Sequence, residues 1–468
     1  MASFIGRVTS AHVIANERVV AISERELDSP TTKKHATNIA KDESAGAAVS
    51  APHLSSIQTL LRLRALAALQ HREFRLLWYG QVFTSMATWM DSIARGWLMY
   101  ELTHSSLQLG LVRGVQAIPT LLLSPIAGST ADLYSRKTQI LFAQIIDGLL
   151  YAWVASMILT GHIQPWIIYL TSIGLATVQT FQLPSRASMV SDSVPPSYLT
   201  NALGLNAVVF NSARSAGPAL AGILIAGFGT AASYSVQALF YLMATIWTFM
   251  LRTETRAAQS PNGHSANGES FRQNIIEGWR FSWRNDEVRI SLLIVSISMF
   301  LLIPFTTLLP VFARDILHVG ATGQGVLLTS MGIGALFSSV LVASSGDRMQ
   351  RGLFMIGGVA LYGIFVVIFS VSTWYPLSIF AMFVIGLCHV TSHALIQTVI
   401  QSYSPPEFRG RTMAIFHMTQ VILVVGAMLI GALASLIGAR WAASSMGLVG
   451  TVLMIAIYLM MPKARRIQ

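Results

Sequence analysis

The chain has 468 residues, of which 53% are hydrophobic and only 11% charged, about half the charge content usual for a soluble protein, so water is not its main solvent. The net charge of +11 comes from Arg and Lys placed mainly between apolar runs and near the ends, which points to a membrane-topology signal and away from a nucleic-acid surface. A single cysteine, Cys388, lies inside an apolar run; this excludes an intrachain disulfide and any CxxC metal or redox site, and the residue reads as packing.

Met1 to Ile22 lacks a continuous apolar core and carries Arg7, Glu17 and Arg18, so no signal peptide is expected. Residues 1–55, rich in Ser, Thr, Ala and mixed charge, read as a disordered extension or an over-long start. In residues 56–72, the stretch Ile57 to Leu69 sets leucines against Arg62 and Arg64 as an interfacial amphipathic helix would.

Apolar runs near 20 residues then recur at 76–100, 107–129, 138–160, 164–185, 202–227 and 233–251, and again at 289–313, 322–344, 353–372, 376–400, 411–437 and 440–461. Each is long enough to cross a hydrocarbon layer of about 30 Å at about 1.5 Å per residue. Lipid offers the backbone no hydrogen-bond partner, so such runs must be helices. The expected fold is therefore an all-α membrane protein of about twelve transmembrane helices. It divides into a six-helix half over 73–251, a polar cytoplasmic linker over 252–288 ending in an amphipathic piece (FRQNIIEGWRFSW), a second six-helix half over 289–462 and a basic tail over 463–468.

Lys and Arg in short loops set the orientation. With the N-terminus in the cytoplasm, that side collects Arg72, Arg75, Arg136, Lys137, Arg186, the linker arginines, Arg348, Arg351, Arg409, Arg411, Lys463, Arg465 and Arg466, against Arg314, Arg440 and the nearby Arg113 opposite. Both termini are expected in the cytoplasm. The halves also repeat: Gly110, Asp132 and Arg136 answer Gly325, Asp347 and Arg351 at an offset of 215 positions. At an offset near 210, Pro195 and Pro196 answer Pro405 and Pro406, and Gly217, Gly222 and Gly229 answer Gly426, Gly431 and Gly438. Parallel repeats place a binding cavity between the halves near the midplane.

The loop after the second run reads Gly128-Ser-Thr-Ala-Asp132-Leu-Tyr-Ser-Arg136-Lys137, with a degraded copy from Ala343 through Asp347 to Arg351. It resembles the G-x-x-x-D-x-x-x-R-R/K signature of the major facilitator superfamily. Phe74 to Met90, Gly96 to Val112 and Pro184 to Gly222 are similar to the bacterial branch that includes the enterobactin exporter and transmembrane secretion effectors. The resemblance covers about 72 to 460 and implies the major facilitator fold, a bacterial cytoplasmic (inner) membrane location, and proton-coupled export of a drug-like or siderophore-like compound by antiport. Proton-coupled uptake of an organic solute is the alternative. It also implies a conformational latch of Asp132 with Arg136 and Lys137, echoed by Asp347 and Arg351; the bland reading is that the basic residues only hold topology. In the fifth run Ala213 to Gly222, with Gly217, Pro218 and Gly222, resembles the antiporter element G-x-x-x-G-P-x-x-G-G, though Ala stands at 213 and 221; close helix packing explains the same residues.

Charges inside the membrane are costly and mark function or pairing. Asp91 and Arg95 stand four apart on one helical face, in the order that favours an ion pair. Asp91 is the candidate proton-coupling residue, set against a permanent Asp91–Arg95 pair. Arg214 in the fifth run is expected to face Asp91 or an anionic substrate. Arg113 is expected to snorkel to the headgroups, and Asp147 to make a buried hydrogen bond. His389 and His393, four apart on the tenth run, could carry protons or touch substrate, or simply pack. Gln179, Gln182, Asn206 and Asn211 supply neutral polar lining at best, while Trp89, Trp97, Trp153, Trp166 and Trp374 read as anchors or packing.

No Gly-Lys dipeptide exists for a phosphate cradle, which excludes ATP-driven transport by this chain alone. No clustered catalytic set suggests an enzyme. The expected partners are a small-molecule substrate, protons and the lipid bilayer, with no nucleic acid, no metal, no cofactor and a monomeric state.

Overall fold

The computed structural model describes residues 66–252, 271–345 and 350–467. The expectations for the extension at 1–55, for most of the interfacial segment, for the linker up to residue 270 and for Asp347 fall outside these residues, as do the side-chain surroundings of 128 and 132.

Among the described residues there is no strand. A 3-10 turn, Ala67–Gln70, leads into α1 (Arg72–Thr103), α2 (Ser106–Leu133), α3 (Arg136–Leu159), α4 (Pro165–Asp192), α5 (Leu199–Phe228) and α6 (Thr230–Phe249). After α7 (Phe271–Arg284), the amphipathic end of the linker, come α8 (Asp286–Ile316), α9 (Gly320–Ser345), α10 (Arg351–Val371), α11 (Tyr375–Tyr403), α12 (Pro406–Ile437) and α13 (Ala439–Met460). Nine of these helices are long and apolar enough to cross a membrane. The other long ones, α1, α4 and α6, carry polar side chains along their length, such as Asp91 and Arg95, Gln179 and Gln182, and Gln237.

The polarity pattern is inverted relative to a soluble protein. Gln144, Asp147, Ser172 and Gln237 are fully buried, whereas Leu122, Phe142, Leu149 and Trp374 are more than half exposed. That is the arrangement expected when the solvent is hydrocarbon.

The helix ends follow the repeat. Gly229 and Gly438 end α5 and α12 with φ of +81° and +87°, a conformation that only glycine adopts without penalty. His104 and His318 both take left-handed φ of 48° and 54° after α1 and α8, 214 positions apart. At the start of α8 the Asn285 side chain accepts from the Val288 N–H at 2.9 Å, with Asp286 and Glu287 in the first turn where the helix dipole favours acids.

Helix α8 is not uniform: π turns at Ser298–Leu302 and Phe312–Ile316 flank a 3-10 stretch at Ile303–Leu308. Pro304 is the cause, since its ring removes an N–H and displaces the carbonyl four residues before it, that of Phe300. This carbonyl abuts Gly426 on α12, where any Cβ would collide with it.

Within the N-terminal half α1 packs on α5 and α6, α2 on α4, and α3 on α4 and α6; in the other half α9 packs on α11, and α10 on α11 and α13. Tyr151 and Tyr241 stack across α3 and α6 with centroids 5.5 Å apart. The halves meet through α2 with α12 and α5 with α9. Helix α7 lies along α12, held by Phe281 stacked on Phe408 at 4.6 Å and by Glu277 paired with Arg411 at 2.7 Å.

Candidate functional site

Two glycine crossings close the bundle at the end where α1 terminates. A Cβ on Gly110 would lie 2.7 Å from the Ala427 carbonyl oxygen and 3.3 Å from the Gly431 Cα. A Cβ on Gly222 would lie 2.7 Å from the Ala321 carbonyl oxygen and 3.3 Å from the Gly325 Cα. Only residues without a side chain let the backbones approach this far. Around these crossings the Tyr100 hydroxyl donates to Asp315, and the Thr322 and Thr329 hydroxyls donate to the Gly222 and Ser215 carbonyls at 3.3 and 2.9 Å.

Behind this closed end lies a cavity of about 490 Å³ walled by α1, α2 and α4, with Tyr151 from α3 and Phe210 from α5. It narrows to a neck of about 30 Å³ between Arg95, Leu109, Arg113 and, from α8, Thr306 and Pro310. The neck is therefore built by both halves.

Asp91 and Arg95 line both spaces. The Asp91 Oδ2 accepts from Arg95 Nε at 2.9 Å and Nη2 at 2.8 Å, and Arg95 Nη1 donates to the Ser172 hydroxyl on α4. Oδ1 of Asp91 is buried with no hydrogen-bond partner. The four-residue spacing thus makes the ion pair it predicts, and leaves one carboxylate oxygen unused beside the cavity.

Arg214 makes no ion pair with Asp91, whose pairing is with Arg95. Its guanidinium lies 5.5 Å from the centre of the Trp89 ring, and the groups from the other half within its electrostatic reach are Tyr362, His389 and His393. Trp89 in turn lines the cavity and meets Phe210 edge-on at 5.5 Å, so it is cavity wall and not a lipid anchor. Arg113 also differs from expectation: it points into the cavity and neck instead of reaching for headgroups, since the face of α2 that carries it turns inward.

Asp147 is fully buried on α3 beside Tyr241 of α6. Arg186, counted with the loop arginines, sits inside α4 and donates to the Thr84 hydroxyl at 3.0 Å. Gln179 lines the cavity; Asn211 spends its amide on the Ala207 carbonyl at 2.9 Å.

His389 and His393 lie with ring centroids 5.8 Å apart, capped by Tyr362 and Phe416. Phe416 contacts a third histidine, His417, which spacing alone did not connect to them because it comes from α12. The described residues contain no group of three His, Cys, Asp or Glu side chains placed to hold a metal.

At the opposite end Arg136 pairs with Asp192 at the C-terminus of α4, and Lys137 donates to the Leu251 carbonyl. Asp192 is a member of this cluster that the signature motif did not indicate. Arg351 opens α10. In the antiporter-like element, Gly217 lets α5 cross α1, a Cβ there meeting Trp89 Cβ at 2.7 Å; Pro218 sits inside α5 with its carbonyl 2.8 Å from a Cβ built on Gly325; Gly222 serves the α9 crossing.

Two related helical bundles joined at one end by paired glycine crossings, with a cavity in the first bundle and a neck lined by both, define a transporter of the major facilitator type. The model of the transmembrane secretion effector family matches residues 63–467, and the chain belongs to that family.

The staphyloferrin A transporter of Staphylococcus aureus is 24% identical over 382 residues, 78% of this chain and 90% of that protein. The multidrug efflux pump Tap of Mycolicibacterium fortuitum is 23% identical over 330 residues, 69% and 79% of the two chains. The macrolide efflux protein A of Streptococcus pyogenes is 23% identical over 365 residues, 75% and 85%. Among solved structures, a bacterial homologue of the human lysosomal transporter Spinster in an inward-facing, unoccupied conformation superposes with a TM-score of 0.66 at 14% identity, over 86% of this chain and 97% of that one. The nucleoside transporter NupG gives 0.64 at 13%, over 83% and 98%. These two speak for the fold alone.

Proposed function

We propose that this chain is a proton-coupled exporter of small organic molecules, acting as a monomer of twelve membrane spans with both termini in the cytoplasm of a bacterial cell. The observation that carries this reading is the cavity closed at one end by Gly110 against Gly431 and Gly222 against Gly325. Rocking the halves about those crossings opens the closed end and shuts the other, which is alternating access. The side chains at the site bind, orient and exchange protons; none is arranged for covalent chemistry.

Asp91 is the proposed proton carrier. A proton arriving on Asp91 neutralises the acceptor of Arg95, which keeps the Ser172 hydroxyl as its remaining partner and is released to rearrange within the neck it already lines. Coupling follows because the neck is part of the gate between halves. The relatives named as efflux pumps favour export over uptake.

The experiment is transport in inside-out membrane vesicles. With an imposed pH gradient, vesicles containing the wild-type chain accumulate an exported fluorescent dye, and the Asp91→Asn chain does not, although it binds the dye. Accumulation by Asp91→Asn equal to wild type would make the ion pair purely structural. Dye efflux from the vesicles in place of accumulation would assign uptake.

A further inference from the structure

Helix α7 has two faces with different surroundings. On one, Glu277 pairs with Arg411 of α12 at 2.7 Å and Phe281 stacks on Phe408 at 4.6 Å, while a Cβ on Gly278 would lie 2.8 Å from the Arg411 Cβ. Ser282 is buried beside them. On the other, Ile276, Trp279, Arg280, Trp283 and Arg284 follow the spacing i, i+3, i+4, i+7, i+8 that makes a single helical face. All five are exposed, the three apolar ones by 58%, 53% and 52%. The two indoles stack on each other with centroids 6.0 Å apart, 10° from parallel.

The chain fixes the depth of this face. Asn285 alone separates α7 from the span α8, and Phe408 and Arg411 belong to the first two turns of the span α12, so α7 lies where both spans enter the bilayer. At that depth hydrocarbon gives way to headgroups, the environment that suits an indole with an apolar body and one N–H. A guanidinium there meets phosphate oxygens, which its planar fork of donors fits. Glu277, the one acid of α7, is taken by Arg411, and Asp286 just beyond it by Arg289 and Lys463. The charges of Arg280 and Arg284 are therefore left for a partner outside the bundle. A zwitterionic surface offers them no net attraction, whereas an anionic one adds about fivefold in affinity for each.

We infer that α7 is a docking surface for anionic phospholipid, with its two indoles at the hydrocarbon boundary and Arg280 and Arg284 on the headgroup phosphates, and that this contact regulates transport through α12. The regulatory part rests on the transport reading above. Gly431 lies about 30 Å further along α12 than Arg411, and it makes the crossing with Gly110 of the other half. Lipid seated on α7 thus holds one end of the helix whose other end must move when that crossing opens.

The test is native mass spectrometry of the purified full-length protein titrated in detergent with phosphatidylglycerol and, separately, with phosphatidylcholine of the same chains. The wild-type chain should hold phosphatidylglycerol the more tightly, and the preference should fall about twenty-fivefold when Arg280→Gln and Arg284→Gln are combined. Lysine at both positions should keep most of it, because the charge stays. Trp279→Ala with Trp283→Ala should weaken both lipids alike, because apolar burial does not read headgroup charge. Equal retention of the two lipids by the wild-type chain, or a preference that survives the double glutamine variant, overturns the docking surface. A dimer that holds neither lipid gives the face to a second copy and overturns it as well. In vesicles energised by a pH gradient, dye transport by the wild-type chain should rise several-fold when about a third of the phosphatidylcholine is replaced by phosphatidylglycerol, and should not rise in the double glutamine variant. Wild-type transport indifferent to phosphatidylglycerol overturns the regulation. Lipid binding is read without turnover, so selective retention with no movement of any compound sinks the transport reading and leaves the docking surface standing.

Discussion

Gly110 on α2 and Gly431 on α12 form the same close crossing as Gly222 on α5 and Gly325 on α9, and the members of the two pairs correspond to each other in the sequence repeat. The duplicated chain therefore closes on itself with pseudo-twofold symmetry, and one pair of backbone contacts predicts the other.

Valine at Gly110 or Gly222 has no room at either crossing. Overpacking of this kind costs about 1–3 kcal/mol, paid only while the crossing is closed, so it shifts the population toward the state open at that end by about 5- to 150-fold. Spin labels at His162 and Trp374, in loops at the closed end, should report a longer distance in Gly110→Val, and transport should fall. An unchanged distance distribution would show that the crossing is not part of the moving interface.

Tyr100 and Asp315 tie α1 to α8 beside those crossings. Removing a hydrogen bond to a charged acceptor costs about 1.5–3 kcal/mol, so Tyr100→Phe should move the same label pair outward while leaving overall thermal stability close to wild type. A lowered melting temperature with no change in distance would place the bond in folding and not in gating.

The Asp91–Arg95 pair gives a test through stability. Both side chains are largely buried, at 16% and 7% exposure, and breaking such a pair by removing one partner leaves an uncompensated charge at a cost of about 3–5 kcal/mol. Arg95→Gln should melt lower than the double variant Asp91→Asn with Arg95→Gln, which removes both charges. Neither should transport along a pH gradient. Transport by the double variant would exclude the pair from coupling.

At the opposite end, Arg136 is largely buried at 12% exposure but Asp192 is partly exposed at 34%, so water screens the carboxylate and its loss costs less than breaking the enclosed Asp91–Arg95 pair. Asp192→Asn, like Asp132→Asn in the neighbouring signature, should slow turnover several-fold with the melting temperature and substrate affinity nearly unchanged. Normal turnover in both variants would leave the basic residues with topology alone.

Hydropathy and repeat offset were enough to read the all-helical, duplicated bundle, and residue spacing to bring Asp91 to Arg95, because lipid forces apolar runs into helices and helical geometry places residues four apart on one face. Four of the glycines that the repeat aligned, Gly110, Gly222, Gly325 and Gly431, became the crossings between halves for the same reason: a backbone approach that two copies share requires the same small residue in both. What the chain order did not contain was the rotation of each helix about its axis and the choice of neighbour across the half boundary. Tertiary packing alone turned Arg113 inward, set Arg214 over Trp89, linked His417 to the histidine pair and gave Arg136 to Asp192. Hydropathy averages over a helix's circumference, whereas a cavity is made by one face of each of several helices, and only the packed bundle selects those faces.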